Sequence, residues 1–157
     1  MTLTQAQTAQ TKDVSLLFYS LRGNKSAKQW RICLPFEKYV HVGISVNNMI
    51  FNLPTGRSNP KLNWLSSDVS YRVWGKPDES FYLGKTRISW FDILERKHYT
   101  NLVYQYVYIL SLRTIKLENC VTAVTDYINL FFNTSINAGL PRHLYKEMRT
   151  WNYTMYQ

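Results

Sequence analysis

The stretch "ENCVTAV" at 118–124 sets Cys120 directly after Asn119 and just before an apolar run with helical spacing. If Asn119 caps that helix, Cys120 falls in its first turn. There the unpaired backbone N–H groups and the positive end of the helix dipole favour a thiolate over a thiol. Such a setting lowers a cysteine pKa from about 8.5 into the range of about 3.5–7.5 and makes a nucleophile. The competing reading is a small apolar residue buried at a helix start, since free cysteine is among the most buried residue types. A nucleophile also needs a base, which the fold must bring from elsewhere in the chain. Of the three histidines, His41 is the best candidate. It lies inside the apolar stretch "YVHVGISV", where a purely structural histidine would need a hydrogen-bond partner. His98 closes the amphipathic segment "WFDILERKH", where it suits the helix dipole. His143 sits beside Arg142 in a basic C-terminal segment and reads as solvated surface.

These residues must be held by elements that the pattern of the chain already outlines. Residues 1–13 are polar and aperiodic and read as a disordered or loosely attached arm, leaving 14–157 as one domain. "VSLLFYSL" (14–21) is a strand candidate closed by "RGN". In "YVHVGISV" (39–46), Val40, Val42, Ile44 and Val46 alternate with Tyr39, His41, Gly43 and Ser45. Asn47 and Asn48 then supply a turn into a return strand, "MIFNLP" (49–54). Residues 54–68 are dense in Pro, Gly, Ser and Asn and read as a loop. Strands are expected at 69–75 and 80–84. A helix capped by Ser89 is expected over 90–98, with Trp90, Phe91, Ile93 and Leu94 near one face. "LVYQYVYIL" (102–110) reads as a buried strand. The helix opened by Cys120 carries Val121, Val124, Ile128 and Phe131 or Phe132 at core spacing, and Pro141 opens a last short helix to 149. The sum is a small α+β domain.

Composition narrows the function classes. A chain of 157 residues with 45% hydrophobic and 15% aromatic residues can bury a single real core. Its net charge of +9 favours anionic partners, but the basic residues are scattered and form no dense run of the kind that marks a nucleic-acid tail. No stretch reaches the roughly 18 apolar residues of a membrane span, and "MTLTQAQTAQTKD" has neither the basic start nor the apolar centre of a signal peptide. A cytoplasmic protein at synthesis is expected, with Cys33 and Cys120 both as thiols. The scattered histidines and cysteines have none of the close spacings that zinc requires, so no metal and no other cofactor is expected.

"YVHVGISVNNMIFNLP", followed much later by "NC" opening an apolar helix, resembles the circularly permuted papain-like cysteine hydrolases. These include the permuted NlpC/P60-like, lecithin:retinol acyltransferase-like and PPPDE-type proteins. In that group the histidine strand precedes the cysteine helix, reversing the papain order. His41, Val42, Gly43 and Ile44 match the first element of the signature, and Asn119 with Cys120 match the last. The family places a third polar residue on the second hairpin strand to orient the histidine, and the alignment sets Asn52 there. The resemblance covers 39–54 and 102–132, under a third of the chain.

What the resemblance implies is a small antiparallel sheet packed with a cysteine-bearing helix and a Cys120, His41, Asn52 site cleaving or transferring an amide, thioester or ester. Peptide, peptidoglycan and lipid acyl groups are the substrate classes it brings. The runner-up is a basic binding or structural protein, of viral or mobile-element origin and virion-associated, that keeps the fold without chemistry. Nucleic acid would be its partner, stacked on Trp64, Tyr71, Trp74 and Tyr82. The enzyme reading ranks first, because aromatic residues in strands are more often core.

Overall fold

A computed structural model describes residues 10–20, 38–53, 63–96, 98 and 119–155, with side chains through 151. Within them the chain runs β1 (Lys12–Tyr19), β2 (His41–Val46), β3 (Met49–Phe51), β4 (Trp64–Ser66), α1 (Ser67–Trp74), β5 (Glu79–Thr86), α2 (Trp90–Glu95), α3 (Cys120–Phe132) and α4 (Pro141–Met155). The described strands form a five-stranded antiparallel sheet in the order β4-β3-β2-β1-β5, an α+β arrangement as expected. The expected strand at 102–110, Cys33, residues 54–62 of the proposed loop and residues 1–9 of the proposed arm lie outside the described residues.

Period-2 patterning builds the centre of the sheet and divides its two faces. In β1, Val14, Leu16 and Phe18 join one buried cluster, while Leu17 and Tyr19 join another. Cross-strand pairs inherit this division: Phe18 lies opposite Val42 and Tyr19 opposite His41. The first face is covered by α3, through Val121, Val124, Tyr127, Ile128 and Phe131, and by Leu144, Met148 and Trp151 of α4. Each such burial contributes about 1.5–3 kcal/mol, so α3 is held by its core stripe rather than by propensity. Trp74 of α1 and Leu65 of β4 pack with Leu17, Tyr19 and Ile50 on the second face. Covering both faces leaves almost every residue of β2 buried, including the polar His41.

The β2–β3 hairpin forms where the asparagines require it. Asn47 takes φ 54°, a left-handed conformation that asparagine tolerates, and its Oδ1 accepts from Asp13 N at 2.9 Å. Strand β1 begins at Lys12, two residues before the expected boundary. Lys12 is buried and its ammonium donates to Ile88 O at 2.8 Å, which fastens the chain to the segment just after β5.

Four elements differ from the sequence reading. Residues 69–75 are expected as a strand, but 69–74 belong to helix α1. What decides is the i, i+4 pair Ser70 and Trp74, which is buried while Val73 and Tyr71 are exposed. Ser67 anchors the helix start by donating twice to Asn48 O, and Gly75 ends it at φ 85°. The segment expected as loop through 68 contains β4. Helix α2 is shorter than 90–98, and only part of its apolar set faces inward: Ile93 is buried, Phe91 and Leu94 are exposed. Ser89 caps it as expected, accepting from Asp92 N at 3.2 Å. At the other extreme, α4 continues past 149 to Met155.

Candidate active site

Local sequence dictates the start of α3. Asn119 Oδ1 accepts from Thr122 N at 2.9 Å and Asn119 N donates to Thr122 Oγ1 at 2.8 Å, a reciprocal capping box. Ala123 N donates to Asn119 O, so the cap and the first helical bond take the amides at the third and fourth positions. The amides of Cys120 and Val121 belong to the first turn, where no intrahelical acceptor exists. They face the Cys120 sulfur, and the N–H of Val42 does so from β2. The thiol thus sits against the peptide group that directly follows His41. Asn119 Nδ2 donates to Gly139 O at 3.2 Å, tying this helix start to the approach of α4.

His41 opens β2 on the face it shares with Tyr19. Its Nε2 lies 2.8 Å from Asn52 Oδ1, and Asn52 Nδ2 donates to Ser70 Oγ at 3.2 Å. Trp74 stacks flat on the imidazole, with centroids 4.8 Å apart and planes at 5°, and the Tyr19 ring lies 5.2 Å away. An amide oxygen only accepts, so Nε2 carries the proton and the lone pair of the neutral ring is at Nδ1. Gly43 makes this arrangement possible. A Cβ built there would stand 2.6 Å from Asn52 Oδ1 and 2.8 Å from Phe51 O. The third polar residue and the small residue two places after the histidine are therefore one packing unit.

His41 and Asn52 are brought together, and Cys120 lies beside the next peptide of the same strand. Burial dominates the electrostatics of all three. His41 and Cys120 are each 2% exposed and Asn52 1%. Desolvation lowers the His41 pKa to about 4 from 6.5, partly offset by the Asn52 bond. It pushes the Cys120 thiol up to about 11 from 9.0, with the three backbone N–H groups offsetting only part. The expectation of a thiolate at the helix start is thereby corrected. Loss of water costs the charged form more than the amides and the helix end return. At neutral pH the pair rests as a thiol and a neutral imidazole.

The lowered histidine makes stability pH-dependent in a defined direction. Between pH 6.5 and 4 the unfolded chain binds a proton at His41 that the folded chain refuses, so this residue withdraws stability as pH falls through that window, up to about 3 kcal/mol at pH 4. Urea midpoints measured from pH 7 to 4.5 should fall more steeply in the wild-type protein than in His41→Gln. Parallel curves for the two proteins would mean that His41 is not held neutral.

The remaining candidates separate. His98 is buried against Phe51 and Tyr127, with Nε2 3.5 Å from Asp126 Oδ2, so it belongs to the core rather than to an exposed helix end. His143 is exposed on α4 as expected. Of the aromatic residues offered as stacking platforms, Trp64 and Trp74 are core side chains, and Tyr71 and Tyr82 are exposed. Among the described residues no cluster of three or more His, Cys, Asp or Glu could hold a metal, and no helix is long and apolar enough to cross a membrane. Sequence reading missed Trp74 and Ser70 as site residues, because the helical spacing that joins them was masked by the alternation of Val69, Tyr71 and Val73. Comparison with models of known protein families finds no match to the chain, and comparison with curated proteins finds none.

Proposed function

We propose that the protein is a thiol-dependent hydrolase or acyltransferase of the permuted papain-like type, acting on an amide, thioester or ester through Cys120, His41 and Asn52. The observation that carries the reading is the His41 Nε2–H bond to Asn52 Oδ1 beneath the Trp74 ring, with the Cys120 sulfur at the Val42 N–H. This bond leaves Nδ1 as the base atom. Because thiol and imidazole both rest neutral, proton transfer accompanies attack rather than preceding it. The Cys120 S–H proton passes to His41 Nδ1 as sulfur bonds to the substrate carbonyl carbon. The carbonyl oxygen gains negative charge, which the backbone N–H of Cys120 stabilises. Collapse expels the amine, alcohol or thiol, which takes the proton from His41. Water, or an acceptor alcohol or amine, then attacks the thioester with His41 again as base, and the thiol is restored. Peptides, peptidoglycan and lipid acyl groups all present such carbonyls.

A second reading, a non-catalytic basic protein of this fold binding nucleic acid or another anion, draws on the near-complete burial of both reacting groups. Nitrogen-15 NMR of the His41 ring separates the two. The enzyme reading predicts a proton on Nε2, a bare Nδ1, and an Nδ1 resonance that moves in Cys120→Ser. A proton on Nδ1, or a resonance indifferent to Cys120→Ser, would remove the base from the mechanism.

A further inference from the structure

Helix α4 places Arg142, Tyr145, Lys146 and Arg149 at i, i+3, i+4 and i+7, which puts them on one face. With Lys38 and Tyr39, which precede β2, they line a cavity of about 440 Å³. That size falls in the usual range for small-ligand pockets, about 300–1,000 Å³. Among the described residues that line it, Lys38, Arg142, Lys146 and Arg149 are cationic and none is acidic. The neighbouring carboxylate, Glu79, sits behind two of the lining rings: it accepts from the hydroxyls of both Tyr39 and Tyr145, the latter at 3.2 Å. Those bonds tie the two rings together, 5.6 Å between centroids, and fix the inner wall of the cavity. Lys146 and Arg149 set like charges one turn apart on this face, which suits it to a compact multivalent anion.

We infer that this cavity is a binding site for a phosphate-bearing ligand. Phosphate matches the donors. A guanidinium presents paired N–H groups to two phosphate oxygens, and lysine adds a point charge, so Arg149, Lys146 and Lys38 together neutralise a group carrying two or more charges. A partly open concavity of this size, with its cations gathered around one wall, fits a terminal phosphate or diphosphate better than a long polyanion, which needs a continuous basic track. The inference rests on α4 and its neighbours and does not require Cys120 to be reactive.

Calorimetric titration at about 50 mM salt with inorganic pyrophosphate tests it, together with co-sedimentation on phosphatidylcholine vesicles with and without phosphatidic acid. The first arm reads a soluble phosphate and the second a lipid-borne one. Two double variants remove equal charge from exposed positions: Lys146→Gln with Arg149→Gln in the cavity, and Lys85→Gln with Arg87→Gln outside it. The expected result is saturable binding of pyrophosphate, of phosphatidic acid vesicles or of both, weakened at least about tenfold by the cavity pair and less than about twofold by the outside pair. Binding in neither arm, or equal weakening by the two pairs, would overturn the inference.

Discussion

His41→Gln is expected to slow acylation of Cys120 by an activated ester about 10²–10⁴-fold, the usual contribution of a positioned base. The effect should be this large because the thiol cannot ionise unaided. With its pKa pushed up to about 11, only about one molecule in 10⁴ carries a thiolate at pH 7. Nearly all attack must then use a proton acceptor at the sulfur. Glutamine is the informative substitution, since its amide N–H can still donate to Asn52 Oδ1 and sit beneath Trp74, while offering no base. A fold check by circular dichroism accompanies the rate. An unchanged acylation rate in a folded His41→Gln protein would mean that Cys120 reacts without the histidine.

Gly43→Val is expected to destabilise the protein by about 1–3 kcal/mol, a drop of several degrees in melting temperature for a chain of this size. Strands ordinarily gain from valine, so β-propensity alone predicts the opposite sign. The space decides: the new Cβ would meet Asn52 Oδ1 at 2.6 Å and the backbone oxygen of Phe51 at 2.8 Å. The amide of Asn52 can turn away, but the β3 backbone cannot. Turning the amide abandons the His41 bond and leaves a buried N–H without an acceptor, which itself costs about 1–3 kcal/mol. Thermal unfolding measures the first effect. A Gly43→Val protein as stable as the wild type would show that the hairpin has slack and that Asn52 is not fixed over Gly43.

Much of this was legible in the sequence because local rules and tertiary packing agree there. The hairpin at Asn47 and Asn48, the Asn119 cap and the core stripe of α3 each follow from spacing that the fold also uses. Where they disagree, tertiary context won. Residues 69–75 alternate like a strand, but burying Ser70 and Trp74 over the second sheet face requires a helix. Helix α2 shows the reverse, an apolar set whose Phe91 and Leu94 stay exposed. The ionisation of Cys120 was misread for a different reason. A helix start is visible in sequence, whereas the burial that opposes it depends on β2 packing over the thiol. His98 likewise reads as a helix end in sequence, whereas in the fold it is buried against Phe51 and Tyr127.

The central claim is that Cys120 is the nucleophile, and mapping the acyl group after brief reaction with a p-nitrophenyl ester tests it most directly. Intact-mass and peptide mass spectrometry should find one acyl group, held as a thioester on Cys120, released by hydroxylamine at neutral pH and missing in Cys120→Ser. Acyl groups distributed over surface lysines in both proteins, with Cys120 unmodified, would contradict it.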